Sequence, residues 1–195
     1  MDHQVKAAPW STILYAFVLL AAILPGLAHA EVREIQAKGD LEVKIIMGPD
    51  SAKLRGGALD DAVLEKSVNS ILLRGKDGQT LGSCVQDPGK PSTFTDASGQ
   101  ARYRLVASEN TYQLRHPDGG VAYRVKIKED KFNIYDASDN RLLHGKEKPD
   151  GYGVKDQKGK QVLKLKGVTS LKEASYLAVP IEAEFRILAW AANNW

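Results

Sequence analysis

Few side chains in this sequence could do chemistry, and they stand apart from one another. Cys84 is the single cysteine, and His116 and His144 are the two histidines beyond residue 30. A thiol or an imidazole becomes a nucleophile or a general base when a second polar group lies beside it. The two histidines are not accompanied by a third metal ligand at the spacing of a zinc site. The pattern predicts solvated histidines beside turns and a buried, unreactive thiol.

Four aspartates, Asp136, Asp139, Asp150 and Asp156, lie close together in the sequence but miss the spacing of a calcium loop. Turn formation explains each of them, because aspartate side chains accept hydrogen bonds from nearby backbone. The chain also lacks the Gly-x-Ser-x-Gly, His-Glu-x-x-His and phosphate-binding glycine motifs. We therefore assign no catalytic residue, no metal site and no cofactor. An unrecognised hydrolase stays the third functional hypothesis.

Positive charge gives the one hint of a partner. Residues 120–172 contain thirteen Lys and Arg against seven Asp and Glu, although the whole chain carries a net charge of only +3. Lys126 and Lys128 share one strand face, as do Lys164 and Lys166, because residues two apart point the same way. The alternating apolar residues are predicted to face the core: Val125, Ile127, Leu163 and Leu165.

These four lysines are the predicted ligand-binding residues. Lysines on an outer barrel wall would attract anionic lipid headgroups or an acidic envelope protein. Solubility and protection of sheet edges are the alternative explanation of the same charges. Nucleic acid is not expected as a partner, because the protein is predicted to be exported and only 7% of its residues are aromatic.

The first thirty residues have the pattern of a cleavable signal peptide. Lys6 precedes an apolar run at residues 13–24, Pro25-Gly26 ends the run, and Ala28-His29-Ala30 supplies a cleavage site. The run is shorter than the roughly 20 residues of a membrane-spanning helix, so retention as an anchor is the alternative. We expect a single mature domain, residues 31–195, without a transmembrane span. Because one cysteine cannot form an internal disulfide, a periplasmic location is favoured over secretion.

Short alternating apolar runs separated by Asp, Gly and Asn turns fill the chain up to residue 166 and predict an antiparallel sheet. About twelve strands suggest a closed barrel. Residues 60–66 predict one helical turn, and residues 86–99 predict a loop. The turns Asp96-Ala-Ser-Gly-Gln and Asp136-Ala-Ser-Asp-Asn match and indicate an internally repeated meander. The predicted strands are Glu31–Ala37, Leu41–Met47, Ala52–Arg55, Ser70–Arg74, Thr80–Val85, Ala101–Ala107, Thr111–Arg115, Val121–Lys128, Lys131–Tyr135, Arg141–His144, Gly151–Lys155 and Lys160–Lys166.

A C-terminal helix is predicted at residues 171–192. Ser170 and Glu173 have the spacing of a capping box, and apolar residues follow at steps of three and four. Pro180 predicts a break, because proline costs a helix interior about 3 kcal/mol. Alternation in residues 181–187 leaves a strand as the alternative for that part. Beyond Arg186 the segment is apolar nearly all round, which is typical of a buried helix.

The meander and the apolar C-terminal helix together resemble the tubby C-terminal-like superfamily, which includes tubby domains, phospholipid scramblases and LURP-one-related proteins. Residues 179–190 look like the segment that leads into the scramblase terminal helix, and the hairpins near residues 123–136 and 162–166 look like the bacterial LURP-one-related pattern. The resemblance implies a twelve-stranded barrel enclosing the helix. Glu173 is the only acid in Ser170–Val179, so the scramblase calcium segment has no counterpart here, and the tubby phosphoinositide-binding residues have no clear match.

From these patterns we expect an exported, non-enzymatic envelope protein that binds anionic lipid or a protein partner through a basic barrel face. The alternative is a structural or assembly component of the cell envelope.

Overall fold

In the computed structural model, which describes residues 33–195, fourteen strands follow one another with short turns between them. The predicted signal peptide, residues 1–30, lies outside the described residues. The strands are β1 (Arg33–Gly39), β2 (Val43–Met47), β3 (Ser51–Arg55), β4 (Val63–Lys66), β5 (Ser70–Arg74), β6 (Thr80–Val85), β7 (Ser92–Asp96), β8 (Ala101–Ala107), β9 (Thr111–Arg115), β10 (Val121–Lys128), β11 (Lys131–Tyr135), β12 (Arg141–Lys148), β13 (Gly151–Asp156) and β14 (Gln161–Lys166).

The strands form one closed antiparallel barrel. Each strand pairs with its neighbours in sequence, and β1 pairs with β14 to close the sheet. The predicted mainly β class and closed barrel are confirmed, whereas the predicted count of twelve strands is wrong. Below, the lower end is the end at which β1 begins and β14 ends, and the upper end is the opposite one.

The two additional strands are β4 and β7. The pattern of residues 60–66 predicts a helical turn, yet β4 occupies the second part of this segment. Residues 86–99 are predicted to be a loop, yet β7 lies within them. Each strand buries a single side chain, Leu64 in β4 and Phe94 in β7. Alternation needs at least two buried positions to be visible, so neither strand stands out in the sequence.

From β7 onward, four hairpins repeat one turn geometry at the upper end. The backbone N–H of the first turn residue donates to the carbonyl four residues later, and the N–H three residues later donates back. The first residues recur every twenty positions: Asp96, His116, Asp136 and Asp156. The fourth residues all have positive φ: Gly99, Gly119, Asp139 and Gly159. The repeated meander that the two matching turns predict is therefore present.

Two helices follow the last strand, α1 (Leu171–Ala178) and α2 (Ala183–Asn194). The predicted helix at 171–192 with a break near Pro180 is therefore confirmed in outline, although α2 extends to Asn194. The strand alternative for residues 181–187 is wrong for most of that segment, because α2 begins at residue 183. Neither described helix is long and apolar enough to cross a membrane.

The helical hairpin fills the interior of the barrel. The first helix, α1, packs against β10–β13, and α2 packs against β5–β7. Residues Phe185–Ala191 are buried without interruption, as are Glu173–Ala178. A helix on a protein surface buries only one stripe, so strands must surround both helices. Barrel diameter grows with strand number, and the hairpin occupies the space that strand side chains leave.

Glu173 is the polar centre of the interior at the lower end, where its side chain is 1% exposed. Its carboxylate accepts from the Arg33 guanidinium at 2.5 and 2.6 Å and from the Trp190 indole N–H at 2.8 Å. The Thr169 backbone N–H and hydroxyl donate to it as well. Ser170 accepts from the Glu173 backbone N–H, which is half of the predicted capping box. The carboxylate therefore joins β1 to both helices.

A second ion pair holds the other end of β1. The Arg186 side chain in α2 is 4% exposed and donates to the Asp40 carboxylate at 3.0 Å. Asp40 follows the last residue of β1. Because only Arg186 is buried, loss of Asp40 would leave its charge uncompensated, which is destabilising. The helical hairpin is therefore fastened to β1 at both ends of the barrel.

Glycines allow β1 and β14 to meet. Gly39 has φ 136°, and a Cβ there would lie 2.0 Å from the Val162 carbonyl oxygen. Gly167 has φ 75°, and a Cβ there would lie 2.0 Å from the Glu34 carbonyl oxygen. Any other residue at either position would push the two strands apart. These two glycines therefore flank the β1–β14 seam.

Gly145 provides the first prediction, because the Phe132 ring on the adjacent strand covers it. A Cβ at residue 145 would lie 2.1 Å from that ring, so Gly145→Ala should lower the free energy of unfolding by about 1–3 kcal/mol. Gly153→Ala is the matched control, since a Cβ there has its nearest atoms at 3.7 Å. It should change stability by less than about 0.5 kcal/mol. Urea unfolding measures both, and equal losses would contradict the packing of Phe132 over Gly145.

Candidate functional site

The two histidines lie in different places. His116 opens an upper turn, where its ring centroid is 6.0 Å from that of Tyr103. The prediction of a solvated histidine beside a turn is wrong for His144, which is partly buried within β12, directly opposite Asn133 and Lys155. Burial, followed by the charges of Arg141 and Lys155, lowers the pKa of His144. No carboxylate forms an ion pair with either histidine in residues 33–195, so a histidine–acid catalytic pair is not formed there.

The aspartates lie in turns, and two of them stabilise a turn by accepting backbone hydrogen bonds. Asp136 and Asp156 each accept hydrogen bonds from backbone N–H groups two and four residues later. Asp150 lies at the opposite, lower end, between β12 and β13. Within the described range, no three His, Cys, Asp or Glu side chains come close enough to hold a metal ion.

Cys84 is fully buried in the core on β6. Burial raises the pKa of its thiol to about 12. A nucleophilic cysteine needs a thiolate, which a neighbouring cation or helix N-terminus stabilises. Cys84 is therefore part of the packing, as its sequence context predicts.

The lysine faces are as predicted. Val125, Leu163 and Leu165 are buried and Ile127 is partly buried, while the alternating lysines point outward. Lys126 lies over the Tyr135 ring, with its ammonium 5.1 Å from the ring centroid. The structure does not bring the two lysine pairs side by side, because β11–β13 lie between β10 and β14.

The strand register links one lysine of each pair, Lys128 and Lys164, through a row of directly opposite residues. Directly opposite residues from β10 through β14 to β1 are, in order, Lys128, Lys131, Lys146, Gly153, Lys164 and Lys38. Like charges that lie directly opposite destabilise a sheet. An anionic ligand would relieve that repulsion.

Three members of the row were not predicted: Lys38, Lys131 and Lys146. Lys146 lies beyond the predicted end of its strand at His144, and Lys38 lies beyond the predicted end of β1 at Ala37. The sequence pattern places Lys131 on a strand, but only the register shows which residues it faces. We call the outward face of β10–β14, together with β1, the basic wall.

Acids lie at the rim of the basic wall. Outward positions of β10–β14 that alternate with buried residues carry no Asp or Glu, and the acids lie in turns or at strand ends. Asp130 contacts Lys146 at 3.0 Å. Asp150 contacts Lys164 at 2.7 Å and Lys166 at 3.7 Å. Hydrogen bonds from Lys146 and Lys164 lower the pKa of Asp130 and Asp150 respectively, so both stay ionised at neutral pH.

The hairpin repeat explains the spacing of the wall. Lys126, Lys146 and Lys166 occupy equivalent positions of three successive repeats, twenty residues apart. They therefore lie on alternate strands, roughly 10 Å apart around the wall. In the earlier repeat, whose turn begins at Asp96, the equivalent residue is Val106, so this position carries a lysine only from β10 onward.

Comparison of the chain with protein-family models, curated proteins and solved structures finds no match. The fold and the surface therefore define the class: a closed antiparallel barrel, filled by a helical hairpin, with a basic sector on its outer wall.

The raised pKa of a buried thiol and of a partly buried phenol predicts that the protein loses stability in alkali. The pKa of Cys84 rises from 9.0 to about 12, and that of Tyr103 rises from 10.0 to about 12, in each case mainly through burial. Folding favours the neutral forms, so this stability is complete below pH 9 and falls as the pH approaches 12. One group changes the free energy of unfolding by at most about 1.4 kcal/mol per pH unit.

The Cys84→Ala variant isolates the contribution of the thiol. Between pH 9 and 10 the unfolding free energy of the parent should decline more steeply than that of the variant, by up to about 1 kcal/mol per pH unit, because tyrosines such as Tyr103 contribute equally to both. Urea unfolding across this range measures the difference, and parallel curves would mean that the thiol ionises in the folded protein.

Proposed function

We propose that this protein is an exported, non-enzymatic envelope protein that docks on an anionic lipid surface through its basic wall. One observation carries the proposal: the row of lysines on β10–β14 and β1, with no carboxylate on the outward positions of β10–β14. The signal-like pattern of residues 1–30 supports a periplasmic or secreted location. An acidic envelope protein is the other partner that this charge would attract.

We also propose kinship with the tubby-like barrels. A closed antiparallel barrel with a buried C-terminal helix supports it, and the fourteen strands depart from the twelve of that superfamily. No calcium dependence is proposed, because the acidic segment of the scramblases has no counterpart in residues 170–179.

The curvature of the wall determines which lysines come closest to a flat membrane. β10 and β14 are four strands apart in a ring of fourteen, so their outward faces diverge by roughly 100°. A flat surface that approaches the middle of these five strands touches β12 first, where Lys146 lies on the outward face. The predicted lysines flank this contact on both sides. Attraction between charges extends about 8–10 Å at physiological salt, so the flanking lysines still contribute.

Gln replacement of the four predicted lysines should weaken sedimentation with anionic vesicles by roughly ten- to a thousand-fold, because each lysine near an anionic surface contributes about 1 kcal/mol. Raising the salt should weaken binding by the parent as well. The four replaced residues are Lys126, Lys128, Lys164 and Lys166. The matched control removes the same charge from the region of β3–β6 on the far side of the barrel: Lys53, Arg74, Lys76 and Lys90.

The control should bind like the parent, and both variants should keep the parent's melting temperature. Equal weakening by both variants would reduce the effect to net charge and remove the basic wall from consideration. Absence of parental binding to anionic vesicles at either salt would favour the structural or assembly role, and a large loss of stability would mean that the strand faces are inverted.

A further inference from the structure

A small cleft lies on the basic wall where β1 meets β14. Its volume is about 150 Å³, and its lining residues are Gln36, Lys38, Lys164 and Lys166. Gln36 lies directly opposite Lys166, and Lys38 lies directly opposite Lys164. Directly opposite side chains in an antiparallel pair start about 5 Å apart at Cβ. Three lysines therefore line one cleft, which we call the seam cleft.

The acids around the seam cleft do not balance its charge. Asp150 is shared between Lys164 and Lys166. Glu34, the nearest outward acid on β1, is held by Lys44 at 2.7 Å and by the Gln36 amide. Lys38 forms no ion pair with any residue in the described part of the chain. The three lysines and one carboxylate leave a local charge of about +2.

Charge and size together identify the class of ligand. A phosphomonoester carries about −1.5 to −2 at neutral pH and offers three acceptor oxygens, whereas a carboxylate or a phosphodiester carries only one negative charge. Lysine ammonium groups are common phosphate binders. The cleft is smaller than the roughly 300–1,000 Å³ of pockets for drug-sized ligands, which suits a single headgroup rather than a larger molecule.

We propose that the seam cleft is a binding site for a phosphomonoester group. The proposal deepens the proposed function, because the cleft belongs to the basic wall, and it adds a selectivity that general attraction to an anionic surface lacks. The group could belong to a soluble metabolite or to a lipid headgroup, and the chemistry of recognition is the same.

Calorimetric titration of the purified protein with glycerol 3-phosphate and with dimethyl phosphate tests the selectivity. The monoester should bind about tenfold more tightly than the diester, because charged hydrogen bonds are lost with the diester. Lys38→Gln and Lys164→Gln should each weaken monoester binding by about tenfold, and Lys38→Arg should retain it. Lys38→Gln should not lower the free energy of unfolding, because this change removes a like-charge contact.

Lys53→Gln and Lys76→Gln are the matched controls. These two exposed lysines lie on the far side of the barrel, outside the basic wall. Both variants should bind the monoester like the parent. Equal affinity for monoester and diester, or equal weakening in the control and seam variants, would overturn the proposal.

Vesicles distinguish the two sources of the phosphomonoester. Phosphatidic acid presents a monoester and phosphatidylglycerol a diester, and the two vesicle types are matched in surface charge. If the protein prefers phosphatidic acid vesicles and glycerol 3-phosphate displaces it from them, the site binds a lipid headgroup. If the protein binds glycerol 3-phosphate but shows no preference between the two vesicle types, the site binds a soluble phosphate compound. Salt-sensitive binding to phosphatidylglycerol without monoester selectivity would reject the seam cleft alone, while selectivity without vesicle binding would reject the membrane role alone.

Discussion

Closure of the barrel depends on pairing between the first strand and the last one. Every other strand pairs with a neighbour in sequence, whereas β1 must pair with β14 across most of the chain. Such a long-range pairing costs loop-closure entropy before any contact repays it. The buried Glu173 carboxylate binds Arg33 at the start of β1, and the buried Arg186 guanidinium binds Asp40 just after its end. Glu173 and Arg186 both belong to the helical hairpin, so the element that fills the interior also holds β1 in place.

The same closure creates the surface to which we assign a function. The seam places Lys38 opposite Lys164, two residues far apart in the sequence. Turns that recur every twenty residues set equivalent lysines on alternate strands, and a packed interior holds those strands in place. A closed barrel has no free sheet edge for lysines to protect, which weakens edge protection as an explanation of the charges on β10–β14.

Much of the fold could be read from the sequence because its signals are local. Gly, Asn and Asp turns mark the hairpins, alternation around Val125 and Leu163 fixes the strand faces, and Pro180 marks the helix break. Strands with a single buried residue carry no such signal, which is why β4 and β7 were missed. The pairing of β1 with β14 and the Glu173 contacts depend on tertiary structure, so a capping box was the only trace of that carboxylate in the sequence. For the same reason, two lysine pairs could be predicted but not the row that joins them.

Urea unfolding of Arg33→Gln tests most directly whether β1 is closed through the hairpin. Arg74→Gln is the matched control, because it breaks the exposed ion pair with Glu65 on the outer wall. Arg33 is partly exposed, so its loss should lower the free energy of unfolding by about 2–4 kcal/mol, somewhat less than for a fully buried pair. The free energy of unfolding of the Arg74→Gln control should fall by less than about 1 kcal/mol. Equal, small losses in both variants would show that the barrel closes without the Arg33–Glu173 contact and would contradict this account.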